Sequence, residues 1–192
     1  MTTYMTRLMS AIKATEADPM VSEFAADFFD CCKEKKQLFI CGNGGSAGNA
    51  MHLANDLLYG ITKSTGHGLR VNALTANSSV LTCLANDVGY ESIFSEQLAV
   101  LANPGDLLLV LSGSGNSKNI KNALLQAKKM GVDTYAILGY DGGECLSLAD
   151  KVIHVAVSDM QIAEDMQMII GHALMQTIFS RRSELISLQL IT

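Results

Sequence analysis

Two short runs of small residues in this sequence could bind a phosphate group through uncharged donors. The first is Gly42-Asn43-Gly44-Gly45-Ser46 and the second is Ser112-Gly113-Ser114-Gly115-Asn116-Ser117. Glycines let the backbone turn sharply and bring its N–H groups close to a ligand, and serine hydroxyls add further donors. Each run precedes a helical pattern, so the free N–H groups of a helix N-terminus would point at the same ligand. Alone, either run could also be an ordinary turn, but the two together favour a phosphate site.

Neither run matches the common nucleotide-binding motifs. The first lacks the third glycine at the spacing of the dinucleotide fingerprint, and no Gly-Lys-Ser/Thr follows it as in a Walker A loop. We therefore expect a phosphorylated small molecule as the ligand and no nucleotide cofactor.

Both loops need a sheet to hold them, and the hydrophobic pattern predicts one. Strands are expected at residues 37–41, 68–74, 107–111, 134–138 and 152–157. Helical patterns lie between them at residues 47–58, 79–86, 90–101, 118–130 and 144–148. Alternating strands and helices predict an α/β fold, a three-layer αβα sandwich with a five-stranded parallel sheet. Ligands bind such sheets at the C-terminal ends of the strands, where both loops would lie.

Helical segments flank this core, and we interpret residues 1–192 as a single domain. Residues 1–35 form a helical leader with a break at Asp18-Pro19, residues 36–158 form the α/β core, and residues 160–182 form a terminal helix. The leader could cover the sheet or join subunits. Hydrophobic residues make up 48% of the chain, which is high for a monomer of this size and favours the second interpretation.

Composition argues against several classes of protein. The net charge of −5 disfavours a nucleic-acid-binding surface. Five cysteines without a framework spacing indicate reduced thiols, as in a cytoplasmic protein. No signal-peptide pattern and no apolar run of about 18–20 residues is present, so we expect no membrane association.

The two loops, taken together, resemble those of the SIS (sugar isomerase) domain and, more narrowly, of the phosphoheptose isomerase group. That group interconverts sedoheptulose 7-phosphate and a manno-heptose 7-phosphate. The similarity covers nearly the whole chain, including Ala85-Asn86-Asp87, Asp141-Gly142-Gly143 and the terminal helix. It implies a flavodoxin-like sheet and a homotetramer whose sites are completed across subunits. It also implies a place in heptose biosynthesis for lipopolysaccharide or capsule precursors.

The resemblance also implies roles for individual residues. In the family the serine loop holds the sugar phosphate, and the first loop and an Asn-Asp pair line the rest of the substrate. The matching substrate-binding positions are Asn43, Gly44, Gly45, Ser46, Asn86, Asp87, Ser112, Gly113, Ser114, Ser117 and Glu164.

The family's active site also has a His and a Glu four residues apart on the first helix, and a Gln and a His eight apart on the terminal helix. Some members bind zinc with this set, which matches His52, Asp56, Glu164 and His172 here. The spacing agrees with such a site. His52 and Asp56 share a helix face, and residues eight apart stay within about 80° of each other. Two histidines and two carboxylates suit zinc or another divalent metal. The alternative is that these four residues are ordinary surface or core side chains.

Asp56 stands where the family has Glu, and Glu164 stands where it has Gln. An aldose–ketose isomerase needs a base beside C1 and C2 and an acid for the oxygen. Asp56 or Glu164 is the expected base, and His172 the expected acid. Because of these two differences from the family, the chain could also be an isomerase that acts on a different phosphosugar. His67 could reach a neighbouring subunit's site.

Two non-enzymatic alternatives remain open. One branch of the family binds the replication initiator protein and lacks the acid/base carboxylate and the terminal His, which Asp56 and His172 here would supply. A phosphosugar-sensing module is the other alternative, although no DNA-binding segment is recognised in the sequence.

Overall fold

The computed structural model describes residues 2–66 and 68–189, so Met1, residues 190–192 and the position of His67 lie outside it. Within the described residues, five strands form one parallel sheet. They are β1 (Gln37–Gly42), β2 (Arg70–Ala73), β3 (Leu107–Ser112), β4 (Asp133–Leu138) and β5 (Lys151–His154). Their order across the sheet is β2-β1-β3-β4-β5, and every neighbouring pair is parallel. The predicted α/β class and strand number are confirmed.

Helices cover both faces of this sheet. They are α1 (Thr2–Glu16), α2 (Pro19–Lys33), α3 (Gly45–Asn55), α4 (Ile61–Thr65), α5 (Ser78–Asp87), α6 (Ser95–Leu101), α7 (Lys118–Lys129), α8 (Cys145–Leu148), α9 (Met160–Ser180) and α10 (Arg182–Gln189). A π-helical segment, Asp56–Gly60, joins α3 to α4, and a 3₁₀ turn, Tyr90–Ser92, precedes α6. None of the described helices is long and apolar enough to span a membrane.

Several predicted elements differ from the structure in their bounds. The strand expected at residues 68–74 is limited to Arg70–Ala73, and the terminal helix expected over 160–182 ends at Ser180, before α10. The expected helix over residues 90–101 is broken after Ser92, because Ile93 and Phe94 turn into the core, where both are buried. The last strand stops at His154 rather than at residue 157. There the Val157 N–H donates to the Val155 carbonyl at 2.7 Å, a tight turn that a strand cannot contain.

The leader lies against one face of the sheet. Phe24 and Phe28 of α2 are fully buried, and their rings meet the edge of Tyr135 on β4 at centroid distances of 5.0 and 5.4 Å. For α2 the sheet-cover interpretation is therefore the correct one. Helix α1 packs less deeply, since Met5 and Met9 are more than half exposed.

The position of the site follows from the strand order. β1 and β3 are adjacent, and Gly42 pairs with Leu111 near their C-terminal ends. From these two strands the chain leaves toward opposite faces, since α3 packs with the cluster of Phe24 and α7 with that of Phe94. This is the switch point at which open α/β sheets bind ligands.

Candidate active site

The two loops form the walls of one cavity of about 240 Å³ between the ends of β1 and β3. It is lined by Asn43, Gly44, Gly45, Ser46, Leu111, Ser112, Gly113, Ser114, Ser117, Met160 and Glu164. These include all the sequence-predicted substrate residues except Asn86 and Asp87. The lining contains no lysine or arginine, so an anion here would rely on neutral donors and helix ends.

Two helices have their N-terminal ends at this cavity. Gly44, with φ of +56°, is the N-cap residue of α3, and Ser117 is the N-cap residue of α7. Neither helix has a side-chain cap or an acidic residue in its first turn. A bound anion would therefore meet free N–H groups and the positive end of each helix dipole.

Hydrogen bonds within the serine loop orient its hydroxyls. Ser112 Oγ accepts from the Gly115 N–H at 3.1 Å, and Ser114 Oγ accepts from the Asn116 N–H at 3.3 Å. Because each oxygen already accepts a bond, its hydrogen remains available to donate to a ligand. Residues 141–144 support the loop from behind, where the Glu144 N–H donates to Asn116 Oδ1 at 3.1 Å.

Three of the four predicted metal ligands come together on α3, the π-helical segment and α9. His52 Nε2 and His172 Nε2 lie 3.2 and 3.3 Å from Asp56 Oδ2, and 3.3 Å from each other. The two imidazoles are about half exposed, whereas Asp56 is mostly buried. Asp56 opens the π-helical segment, a type of helix defect that is frequent at functional sites.

The donor set fits a metal ion. With zinc bonds of about 2.0–2.2 Å, the corners of a tetrahedron lie roughly 3.3–3.6 Å apart, close to the three measured separations. Two imidazole nitrogens and one carboxylate oxygen are ligands that zinc accepts, and a catalytic site keeps its fourth position open. The trio of His52, Asp56 and His172 could therefore hold a divalent metal.

Glu164 lies apart from this trio, which differs from the predicted set of four. Its carboxylate is placed against Gly45, so that a Cβ atom added to Gly45 would overlap both carboxylate oxygens. Glu164 precedes His172 by two turns of α9, a rise of about 12 Å along the axis. The side chain therefore points into the loop cavity instead.

Asn86 and Asp87 also lie outside the cavity lining. They are exposed at the end of α5, where Asn86 Nδ2 donates to Asp87 Oδ1 at 2.8 Å. Cys83 Sγ lies 3.5 Å from Asp87 Oδ2, and this hydrogen bond raises the pKa of the Cys83 thiol. The role of the Asn-Asp pair in substrate binding, which the family resemblance implies, therefore stays a prediction.

Sequence reasoning missed a buried amide behind the first loop. Gln167 of α9 is buried, and its Nε2 donates to Ser46 Oγ at 3.0 Å while its Oε1 accepts from Asn49 Nδ2 at 3.0 Å. Asn49 Nδ2 also lies 3.0 Å from the Glu164 carbonyl, so the network ties α3 to α9. The sequence signal that could have identified Gln167 is its polar amide among the apolar residues on the buried face of α9.

A second missed group holds Asn43. Its carboxamide pairs with that of Asn119, which is buried at the start of α7, and also accepts a hydrogen bond from the Tyr90 hydroxyl. Asn119 directly follows the serine loop, but nothing in the sequence indicated its partner.

Comparison with known proteins places this geometry in context. Residues 2–139 match the family model of the SIS domain. The chain is 40% identical over 145 residues to a phosphoheptose isomerase of Nitratiruptor sp., covering 76% of this chain and 77% of that protein. It is 39% identical over 159 residues to one of Geotalea daltonii, covering 83% and 82%. A solved phosphoheptose isomerase of Neisseria gonorrhoeae superposes with a TM-score of 0.85 at 28% identity, covering 93% and 96%.

Proposed function

Because the chain belongs to the SIS domain family and, within it, to the phosphoheptose isomerases, we propose that it interconverts sedoheptulose 7-phosphate and D-glycero-D-manno-heptose 7-phosphate. The observation that carries the proposal is the cavity between two helix N-termini without side-chain caps, lined by a glycine-rich loop and a serine-rich loop. Heptose precursors of lipopolysaccharide or capsule are the corresponding products.

The phosphoryl end of the sugar binds at the serine loop. Ser112 and Ser114 donate their hydroxyl hydrogens, Ser117 adds a third hydroxyl, and the N-terminus of α7 adds N–H groups. Charge-assisted hydrogen bonds of this kind are stronger than neutral ones, so a phosphate can be held without a basic residue.

The carbonyl end lies toward the trio. His52 follows Gly45 by seven residues, a rise of roughly 10 Å along α3. An extended seven-carbon phosphate is also roughly 10 Å long with carbon–carbon bonds of about 1.5 Å. A substrate of this length, bound in the cavity that Gly45 lines, could therefore reach Asp56 and His172 with C1 and C2. A five-carbon phosphate would fall short, and a misplacement of about 1 Å can cost on the order of a hundredfold in rate.

Asp56 and His172 carry out the proton transfers. Asp56 takes a proton from C1, the electrons of that C–H bond form the C1–C2 double bond, and O2 takes a proton from protonated His172. O1–H then returns a proton to His172 as the C1 carbonyl forms, and Asp56 delivers its proton to C2. The separation of 3.3 Å between Asp56 Oδ2 and His172 Nε2 supports this pairing, since acid and base act on adjacent atoms.

The same three side chains, His52, Asp56 and His172, would hold zinc. Bound there, the metal would supply Lewis-acid polarisation of the carbonyl oxygen in place of the proton that His172 Nε2 carries in the metal-free protein. Asp56 keeps a second oxygen, Oδ1, which accepts from Asn55 Nδ2 at 3.2 Å and remains available for the proton. Elemental analysis of the purified protein and of His52→Ala tests this: we expect zinc in the first and a loss of it in the second. A metal-free protein with full activity would exclude the metal.

Activity itself is tested by incubating the protein with sedoheptulose 7-phosphate and following the aldose by NMR. We expect turnover by the wild type and a loss of at least about a hundredfold in Asp56→Asn, because general-base catalysis contributes roughly 10²–10⁴. Asp133→Asn is the matched control, since Asp133 begins β4 at the opposite end of the sheet. If no ketose phosphate of five to seven carbons is turned over, the proposal is wrong and a protein-binding role gains support.

A homotetramer is the proposed assembly. Beside the trio, Met51, Leu58 and Tyr59 are 45%, 49% and 59% exposed, which supports burial of this surface between subunits. Light scattering should give four times the chain mass of 20.5 kDa. A monomer at micromolar concentration would contradict it.

A further inference from the structure

The carboxamide of Asn43 is held by three hydrogen bonds, and none of them involves a serine of either loop. Its Nδ2 donates to Asn119 Oδ1 at 2.9 Å, and its Oδ1 accepts from Asn119 Nδ2 at 2.8 Å. The Tyr90 hydroxyl donates to the same Oδ1 at 2.9 Å. Asn119 is only 2% exposed, so solvent does not compete for this pair.

The number of donors and acceptors decides what Asn43 can offer a ligand. A carboxamide has two N–H donors and one oxygen with two lone pairs. Asn119 and Tyr90 together fill both lone pairs, and Asn119 takes one of the two hydrogens. A single N–H of Asn43 is left, so this side chain recognises an acceptor atom.

The residue Asn43 lies on the boundary between two cavities. Asn43 and Ser117 line both the loop cavity and a neighbouring cavity of about 310 Å³. Tyr90, Glu91, Lys118 and Asn119 complete the lining of the second cavity. Asn43 therefore borders the cavity in which the sugar phosphate is proposed to bind.

We infer that Tyr90 and Asn119 are positioning residues that turn the one free N–H of Asn43 toward a sugar oxygen of the substrate. The inference rests on the proposed isomerase function and assigns part of its sugar recognition. Tyr90 reaches Asn43 from the 3₁₀ turn between α5 and α6, and Asn119 reaches it from α7. Two separate segments thus set the direction of one donor, which lowers the entropy lost when a sugar binds.

Tyr90→Phe is the sharpest variant, because Tyr90 is 57% exposed and its loss of one hydroxyl should leave the fold intact. With sedoheptulose 7-phosphate we expect kcat/KM to fall about 5- to 30-fold. This fall corresponds to the loss of one hydrogen bond that contributes roughly 1–2 kcal/mol of binding free energy. Inhibition by inorganic phosphate should stay within about twofold of wild type, since the serine loop is untouched. Tyr135→Phe is the matched control: it removes the 3.0 Å bond to Asp27 far from the loops and should lower Tm without changing kcat/KM.

A double-mutant cycle tests whether Tyr90 acts through Asn43. In an Asn43→Ala background, Tyr90→Phe should cause no further loss, because coupled residues are not additive. Equal effects in both backgrounds would refute the positioning role, and so would an unchanged kcat/KM in Tyr90→Phe or a parallel loss of phosphate inhibition. If the wild type itself fails to turn over the sugar, the proposed function fails instead, and the two failures are thereby distinguished.

Discussion

Glu164→Gln should tighten the binding of phosphate, although it alters a residue in the substrate cavity. Among the residues that the structure describes, Glu164 is the only charged side chain in the lining of a cavity that otherwise offers neutral donors. Within the described residues its carboxylate forms no ion pair, and it lies against Gly45 at the N-terminus of α3. It therefore occupies part of the positive helix end that an anionic substrate would use.

The size of the effect follows from the size of the cavity. A sphere of about 240 Å³ is about 8 Å across, so a bound phosphate and this carboxylate lie within about 7 Å of each other. Two unit charges at about 7 Å repel by roughly 0.6 kcal/mol in water and roughly 2.4 kcal/mol at an effective dielectric constant of about 20. For a partly solvated site we expect about 1–2 kcal/mol, which is a 5- to 30-fold gain in affinity.

The assay is inhibition by inorganic phosphate, measured together with kcat and KM for sedoheptulose 7-phosphate. Glu164→Gln should lower both the inhibition constant and KM, and the gain should shrink as salt is added, because salt screens the repulsion. Asp141→Asn, on the turn behind the serine loop, serves as a charge-matched control outside the lining. A fall in kcat of a hundredfold or more would instead make Glu164 the catalytic base, and weaker phosphate inhibition would refute the repulsion argument.

Three further outcomes are expected. Gln167→Met should raise KM about tenfold with little change in kcat, because Ser46 loses the donor that keeps its hydrogen directed into the cavity. Gly45→Ala should lower Tm in the wild type but less in a Glu164→Ala background, since the added Cβ meets that carboxylate. An equal fall in Tm in both backgrounds would show that Glu164 does not lie against Gly45. For Asp159, the N–H of Ile162 and the nearby Arg7 lower the carboxyl pKa, so the folded state prefers the charged form. Asp159→Asn should therefore lower Tm at pH 7. Thermal melts should show this difference shrink as the pH falls below the ordinary Asp pKa of about 3.9 and disappear once the pH is below the lowered pKa of the folded state.

The sequence was a good guide to the fold because the relevant signals are local. Leu107–Leu111 is an uninterrupted apolar run, and such runs belong to strands covered on both faces. The glycine and serine loops fall between a strand and a helix, so their place at the sheet edge follows from chain order alone. The broken helix at Tyr90–Ser92 was missed because burial of Ile93 and Phe94, a tertiary effect, overrides the helical pattern.

The site was harder to predict, since it depends on distances between elements. The spacing of four residues predicted that His52 and Asp56 share one helix face. The tertiary structure then places His172 beside them. Spacing also grouped Glu164 with His172, but here Glu164 lines the loop cavity while His172 joins the trio. No pattern within a single helix can show whether a long side chain turns toward a residue two turns away or toward a neighbouring loop.

Two buried amides explain how a cavity without basic residues can suit an anion. Gln167 donates to Ser46, and Asn119 with Tyr90 fills the lone pairs of Asn43, so both cavity side chains keep a hydrogen for a ligand. A hydroxyl or carboxamide without such a partner could turn its oxygen toward the ligand and repel an anion. The buried partners fix the sign of the local dipoles, which a serine or asparagine on a loop does not do alone. Recognition of the phosphosugar would then depend as much on residues that never touch it as on the loops that do.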